Sequence, residues 1–167
     1  MDDSVERLSA RPLADIVRRI EPLGEDDELA HAAHRIADAG GGLPVVDADS
    51  RLVGYLAERD LLEALFPAYL QDFRNTEFLT RDFPSLVRKA RDAAKTTVAD
   101  HMSRDPVAID LDGSESHAAE LFLHHGIRSL PVVTNDRRVS GVVRLADMVQ
   151  SLLQACGALP PEASAPD

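Results

Sequence analysis

Two aspartates of this 167-residue chain occupy the same place in two similar stretches of sequence. Asp60 lies six residues after Gly54, and Asp147 lies six residues after Gly141. An ionised carboxylate accepts hydrogen bonds at both oxygens, so each aspartate can hold a pair of donor groups. Each also lies where a helix is predicted to begin, and an acid in a first helical turn stabilises the exposed N–H groups. Position alone favours this helix-start role.

The histidines and the other reactive residues form no recognisable catalytic or metal-binding pattern. Five of the six histidines lie on two predicted helices, as His31 and His34 and as His117, His124 and His125. No cysteine or carboxylate completes a ligand set around them at a known spacing. The sequence contains no nucleophile elbow, Walker loop or metalloprotease motif. We therefore expect no metal site and no enzymatic activity.

Both aspartates belong to a unit that the sequence repeats after 87 positions. Residues 43–62 align with residues 130–149, and eight of the twenty aligned positions are identical. About one or two identities would arise by chance. The identical pairs are Leu43/Leu130, Pro44/Pro131, Val45/Val132, Val46/Val133, Asp49/Asp136, Arg51/Arg138, Gly54/Gly141 and Asp60/Asp147. The duplication predicts two similar half-domains, each with a buried strand, a turn, a glycine-containing strand and a helix.

A lead segment and a further helix precede each copy of this unit. The first helix is predicted within residues 24–42, with acidic residues in its first turn and a closing glycine run. The second is predicted within residues 113–126, with Ser114 as its N-cap and Gly126 as its C-cap. Each Leu-Pro-Val-Val strand is expected to carry its proline at the start, where no ladder donor is needed. The lead segments are residues 13–19 and 98–110.

The composition disfavours several classes of function. Acidic residues number 29 and basic residues 18, and the net charge of −11 disfavours nucleic acid and anionic membranes as partners. The N-terminus is acidic and polar, unlike a signal peptide, and no apolar run reaches the length of a membrane span. The single cysteine, Cys156, excludes an intramolecular disulfide. We therefore expect a soluble, cytoplasmic protein.

The repeated motifs resemble those of the CBS domain family. The second copy carries the resemblance in "VADHMSRDPVAID", "GIRSLPVV" and "GVVRLAD", and the first in "LADIV" and "GLPVVDADSRLVGYLAERDLL". The resemblance implies a Bateman module, an α/β (α+β) fold of two pseudo-two-fold-related CBS repeats. Each repeat would be a small mixed β-sheet flanked by helices, with a helical insert between them. It also implies a homodimer that requires no cofactor but senses AMP, ADP, ATP or S-adenosylmethionine between its repeats.

The resemblance gives the two aspartates a role in nucleotide binding. The family's signature is a glycine, two apolar residues, a Ser or Thr, two variable residues and an aspartate that accepts the hydroxyls of a ribose. Both copies keep the aspartate, but Ala57 and Arg144 replace the hydroxyl residue. Arg144 is either a bidentate phosphate contact or a solvated surface residue, whereas Ala57 offers no side-chain anchor. Because both copies match in register, the ribose role is favoured, and Asp147 is favoured over Asp60.

Further residues match the walls of the family's ligand site. Val107 and Ala108 correspond to one wall, and strand residues of both copies, which also suit a buried core, correspond to the adenine-side wall. In the first copy, Gly40, Gly41 and Gly42 leave few side chains to hold a base. The predicted ligand-binding set is Asp147, Arg144, Val107, Ala108, Ile127, Arg128, Ser129, Leu130, Pro131, Asp60, Leu43 and Pro44.

The sequence leaves two functions open. The first is a stand-alone regulatory module that binds an adenosine nucleotide and modulates an unknown partner protein. The second is a dimeric interaction scaffold that has lost nucleotide binding.

The segments outside the copies complete the predicted organisation. We predict an N-terminal arm at 1–10, CBS repeats at 11–65 and 96–155, an aromatic-rich helical insert at 66–95 and a disordered tail at 156–167. The insert holds five of the seven aromatic residues, and part of it follows a helical spacing through Phe66, Tyr69, Leu70 and Phe73. We expect its apolar face to be buried, either as a cover for the core or in an interface.

Overall fold

The structure, a computed structural model, describes residues 12–66 and 83–159. These residues form two compact units, neither of which is one continuous stretch of chain. The first unit contains residues 21–66 and 83–106, and the second contains residues 12–20 and 107–159. The first lead segment therefore folds with the strands of the second copy, and residues 98–106 of the second lead segment fold with the strands of the first copy, whereas residues 107–110 stay with their own copy.

The first unit is built on a four-stranded sheet with the strand order β1-β2-β3-β4. Its strands are β1 (Leu23–Gly24), β2 (Leu43–Val46), β3 (Leu52–Leu56) and β4 (Ser103–Arg104). β1 runs parallel to β2, whereas the other neighbouring pairs are antiparallel. The unit also contains helices α1 (Leu29–Ala39), α2 (Glu58–Leu65) and α3 (Phe83–Ala93), and a 3₁₀ turn at Val98–Asp100.

The second unit repeats this plan with a three-stranded sheet of order β5-β6-β7. Its elements are a 3₁₀ turn at Leu13–Ile16, strands β5 (Ile109–Asp110), β6 (Ser129–Val133) and β7 (Val139–Arg144), and helices α4 (Glu115–His125) and α5 (Leu145–Ala155). β5 is parallel to β6, and β6 is antiparallel to β7. Arg18 forms a bridge with Val142 at the outer edge of β7, where the first unit has β4.

The core of the second unit depends on the lead segment. Leu13 is 0% exposed and packs in one cluster with buried residues of the sheet and of both helices. Burying a leucine side chain contributes about 1.5–3 kcal/mol. The cluster consists of Leu13, Ile109, Ala118, Phe122, Leu130, Val132, Val143 and Met148. The lead segment is therefore an integral part of this unit.

Several predicted helix ends are confirmed, but one is wrong. Ser114 Oγ accepts the N–H of His117 at 3.2 Å, and Gly126 ends α4 with a φ of 61°. The first turn of α1 contains no acid, because the helix begins at Leu29. One of the preceding acids, Asp27, instead accepts the N–H of Gly24 at 2.9 Å and so stabilises the turn before the helix.

The two strand prolines are not at the first strand position as expected. Pro44 is the second residue of β2, and Pro131 is the third residue of β6. The short parallel strands β1 and β5 pair with the residues after each proline, from Val45 and Val132 onward. On that side, therefore, the missing proline N–H costs no ladder hydrogen bond.

The described part of the insert is helical but not buried. No residue of α3 is buried in the single chain, and Phe83 is 63% exposed, so this helix does not bury its apolar face as a cover for the core. Burial of that face in an interface stays a prediction. Tyr69, Leu70 and Phe73 lie outside the described residues, as do the N-terminal arm and most of the tail. Among the described residues, no helix has the length and apolar character needed to span a membrane.

Candidate functional site

One end of the second unit's sheet brings together most of the predicted ligand-binding residues. Ser129, at the start of β6, is paired with Arg144, at the end of β7. β5 runs parallel to β6, so Val107 and Ala108, which precede β5, lie at the same end. Ile127 and Arg128 lead directly into β6. Of the predicted set, the first unit holds Asp60, Leu43 and Pro44.

Asp147 is the centre of a charged cluster at this end of the sheet. Arg144 is the N-cap of α5 and donates to Asp147 through Nε and a terminal nitrogen, at 3.0 and 3.2 Å. Arg18, from the lead segment, donates to the same carboxylate through Nε and a terminal nitrogen, at 2.6 and 2.8 Å. Two planar guanidinium groups therefore donate hydrogen bonds to one carboxylate, each in a bidentate geometry.

This cluster keeps the carboxylate ionised. The hydrogen bonds from Arg18, followed by those from Arg144, lower the pKa of Asp147 to about 2, although burial acts in the opposite direction. The Asp147 side chain is 13% exposed, whereas the Arg18 side chain is 55% exposed. Asp147 therefore carries its negative charge at any physiological pH.

Asp60 occupies the equivalent position in the first unit but makes different contacts. Its carboxylate accepts the backbone N–H of Ala57 at 2.8 Å, at the start of α2. Ala57 has no side-chain acceptor, so half of a capping box is present. Burial raises the pKa of Asp60, and the hydrogen bond from Ala57 opposes this effect. The helix-start role, which the position alone favoured, thus describes the contact that Asp60 makes.

The strand residues of the predicted set serve the core. Leu130 is 0% exposed within the hydrophobic cluster of the second unit, and Leu43 is 3% exposed in the first. Pro44 and Pro131 are buried as well. Val107 and Ile127, by contrast, are partly buried against the same cluster and keep some accessible surface. Together with Ala108, which is also partly buried, they are the apolar members of the predicted set that keep accessible surface.

A cavity of about 280 Å³ adjoins the cluster between the lead segment and α5. Its lining is mainly polar and includes Asp147, but no other residue of the predicted set. The lining residues are Asp15, Ile16, Val17, Arg18, Asp147, Gln150, Ser151 and Gln154. This cavity is slightly smaller than typical ligand pockets of about 300–1,000 Å³. Asp147 is therefore the one residue that the cavity shares with the predicted ligand-binding set.

The repeated glycine is explained by a close approach of the lead segment. A Cβ added to Gly141 would overlap the carbonyl oxygen of Arg18 and lie 2.8 Å from Val17 Cγ1. A Cβ added to Gly54 would overlap Met102 Sδ and lie 3.1 Å from the carbonyl oxygen of Ser103. The glycine thus lets the lead segment reach the sheet edge in both units.

One residue of the site, Arg18, and one buried acid, Glu115, were not predicted from the sequence. Arg18 lies far from Asp147 along the chain, and no local pattern indicates that the lead segment crosses to the other copy's sheet. Glu115 is 0% exposed in the first turn of α4, where it accepts a hydrogen bond from Ser151 Oγ at 3.0 Å. An acid at the start of a helix is ordinarily exposed, so its burial carried no sequence signal. The described residues contain no cluster of three metal-ligating side chains.

Comparison with known proteins identifies the class of protein that this fold and site define. The family model for the CBS domain matches residues 13–67 and 98–154, so the chain belongs to the CBS domain family and carries two such domains in tandem. This confirms the resemblance and the α+β fold that the sequence predicted.

Individual relatives are similar to this chain over most of its length. It is 24% identical over 152 residues to an uncharacterised protein of Methanocaldococcus jannaschii, and the alignment covers 84% of this chain and 90% of that protein. It is 26% identical over 126 residues to an uncharacterised 17.7 kDa protein of Acidianus ambivalens, covering 75% of this chain but 62% of the relative. A match to inosine-5'-monophosphate dehydrogenase of M. jannaschii, 24% identical, covers 90% of this chain and 25% of that enzyme.

A solved structure shares the fold. The crystal structure of CBSX2 in complex with AMP superposes with a TM-score of 0.66 at 23% identity, and the match covers 87% of this chain and 98% of that chain. At this level of identity, the likeness shows the fold alone.

Proposed function

We propose that this protein is a regulatory module whose second unit binds an adenosine nucleotide. The observation that carries the proposal is the convergence of two arginines and a partly buried carboxylate at the sheet end that also holds Val107 and Ser129. The similarity to CBSX2, which was crystallised with AMP, supports this ligand class. Nothing in the comparisons points to S-adenosylmethionine, so AMP, ADP and ATP are the ligands to test.

Each part of the site has a distinct role in the proposed complex. The Asp147 carboxylate accepts hydrogen bonds from the two hydroxyls of the ribose. Arg144 donates to the phosphate, helped by the backbone N–H groups at the start of the 11-residue helix α5. The partly buried Val107 and Ile127 contact the base. The anion is thus bound locally, even though the whole chain carries a net charge of −11.

Regulation would follow from a difference in nucleotide affinity between two states of the module. A ligand shifts a conformational equilibrium only by the ratio of its affinities for the two states. The proposed partners are a second copy of the chain and a regulated protein. We do not propose an enzymatic activity for this protein.

Calorimetry and thermal unfolding with AMP, ADP and ATP test the proposal. A nucleotide at 100 times its dissociation constant should stabilise the fold by about 2.7 kcal/mol. Asp147→Ala should weaken binding at least about tenfold, because a charged acceptor and its hydrogen bonds are lost. Asp60→Ala is the matched control. It should leave affinity within about twofold while destabilising α2 by about 1 kcal/mol.

A second variant distinguishes the contribution of the phosphate to binding from that of the nucleoside. Arg144→Gln should reduce the preference for AMP over adenosine, because the guanidinium contacts the phosphate and the nucleoside has none. If Arg144→Gln weakened the binding of AMP and of adenosine equally, Arg144 would not contact the phosphate. If Asp60→Ala weakens binding more than Asp147→Ala, the assignment to the second unit is wrong.

The alternative function is a dimeric interaction scaffold without a nucleotide. It is favoured by the observation that both aspartates already have partners within the protein, Asp60 at its own helix and Asp147 at two arginines. Unchanged thermal stability with all three nucleotides at millimolar concentration would select this function.

A further inference from the structure

The Asp147 carboxylate has no acceptor position left for a ribose in this conformation. An ionised carboxylate offers about four lone-pair positions. Oδ1 and Oδ2 each accept one hydrogen bond from Arg18 and one from Arg144. The two hydroxyls of a ribose would need two of these four positions. One arginine must therefore leave before the ribose can bind.

The surroundings of the two arginines indicate which one leaves. The Arg18 side chain is 55% exposed and that of Arg144 is 30% exposed, so the released Arg18 guanidinium regains full hydration with less rearrangement. The Arg18 backbone is held by reciprocal hydrogen bonds with Val142, at 2.8 and 3.0 Å. Release thus needs a rotation of one side chain and leaves the lead segment on the sheet.

The shorter contacts make Arg18 the stronger of the two occupants. Its hydrogen bonds to Asp147 are 2.6 and 2.8 Å long, compared with 3.0 and 3.2 Å for Arg144. Arg144, three residues before Asp147, is also the residue that the proposed complex needs for the phosphate. Arg18 is therefore the side chain that must move, because the proposed complex with nucleotide needs Arg144 but does not need Arg18.

We propose that Arg18 is an intramolecular competitor of the nucleotide. In the free protein Arg18 occupies the hydrogen-bonding positions of the Asp147 carboxylate, and the ribose displaces it. This inference rests on the proposed function. It implies that the free protein binds nucleotide more weakly than its site allows, because each binding event must first break the Arg18–Asp147 pair. The lead segment would then set the affinity of a site that lies on another part of the chain.

Calorimetric titration of AMP into the full chain and its variants tests this inference. Arg18→Gln should bind AMP about fivefold more tightly than the wild type, the ratio expected for losing a half-exposed ion pair as competitor. Arg19→Gln is the matched control, since it removes the same charge from the adjacent exposed residue and should leave affinity unchanged. The gain from Arg18→Gln should disappear in an Asp147→Ala background.

The outcomes separate the competitor from the proposed function. Weaker or unchanged AMP binding by Arg18→Gln, with a wild type that binds, would overturn the competitor and leave the proposed function standing. Binding by Arg18→Gln alone would support both. Binding by neither protein overturns the proposed function, and the competitor with it.

An NMR titration of the Asp147 carboxyl carbon tests the contact without any nucleotide. In the wild type the pKa should be about 2, and in Arg18→Gln it should rise toward the ordinary aspartate value of about 3.9. The same low value in both proteins would show that Arg18 does not occupy the carboxylate in solution, and would overturn the inference.

Discussion

Replacing Gly141 with alanine should separate the lead segment from the sheet of the second unit. The new Cβ would overlap the carbonyl oxygen of Arg18, which accepts the N–H of Val142 at 3.0 Å. A backbone atom cannot rotate away as a side chain can. The overlap is therefore relieved by moving the lead segment away from β7, which weakens both Arg18–Val142 hydrogen bonds and the packing of Leu13.

The same substitution at Gly54 offers a comparison at the equivalent position. There the added Cβ meets the Sδ atom of Met102, a flexible thioether that can adopt another rotamer. Overpacking costs about 1–3 kcal/mol, and two weakened backbone hydrogen bonds add about 0.5–1.5 kcal/mol each. Alanine regains about 0.5–1 kcal/mol through the less flexible unfolded chain. We expect net losses of about 3 kcal/mol for Gly141→Ala and about 1 kcal/mol for Gly54→Ala.

Urea denaturation and hydrogen exchange measure these effects. Gly41→Ala serves as the control, because its Cβ would meet nothing within 4 Å and its stability should change by less than about 0.5 kcal/mol. The amide of Val142 should exchange faster in Gly141→Ala, since its acceptor is the Arg18 carbonyl. Equal losses at Gly141 and Gly54, or a protected Val142 amide in Gly141→Ala, would refute the account of the lead segment.

Three further predictions concern the same unit. Because the pKa of Asp147 is lowered to about 2, its ion pair stabilises the fold above about pH 4, and the stability is lost as the pH falls toward 2. The shift corresponds to about 2.4 kcal/mol and is shared between Arg18 and Arg144, and screening at the half-exposed Arg18 leaves about 1 kcal/mol for its part. Urea denaturation should show this gap between wild type and Arg18→Gln at pH 7 and its closure near pH 2, and a gap that persists there would contradict the assignment. Leu13→Ala should cost about 2–4 kcal/mol in the same assay, because the side chain is fully buried, and a loss below 1 kcal/mol would argue against an integrated lead segment. Val149 and Leu153 are 46% and 41% exposed on one face of α5. If the proposed homodimer uses this face, the double variant Val149→Asp with Leu153→Asp should halve the mass measured by light scattering. An unchanged dimer mass would place the interface elsewhere.

The repeat made the sheets and helices of both units predictable. The Leu-Pro-Val-Val strands, their hairpin partners and the caps of α4 follow from patterns that act over a few residues. The exchange of lead segments did not follow, because it depends on which edge of which sheet is open after folding. Gly141 carried a partial signal, since a glycine inside a strand often marks a close backbone approach, but it does not identify the approaching residue.

The candidate site was predictable to the same extent. The aspartates and Arg144 were found because they recur in a repeated local motif, and their positions at helix starts are confirmed. The occupants of the Asp147 carboxylate were not, because a guanidinium 129 residues away leaves no trace in the spacing. The burial of Leu130 also shows that a motif residue can match a ligand wall in sequence and still fill the core in the folded unit.

The two copies have diverged so that the cationic side chains gather in one unit. Arg144 stands at the position that Ala57 occupies in the first copy, and its side chain lies beside Asp147. Arg18 pairs with β7 where Ser103 pairs with β3, so the second arginine belongs to the lead segment before the first copy but acts in the second unit. The two guanidinium groups exceed the Asp147 carboxylate by one positive charge, which the carboxylate of Asp15 in the lining of the adjoining cavity offsets. The arginines are the groups of this unit that would bind an anionic ligand on a strongly acidic chain. The first unit has no equivalent pair among these positions, and its Asp60 is committed to the start of α2. A single nucleotide per chain, bound in the second unit, is therefore the stoichiometry that this distribution of charge favours.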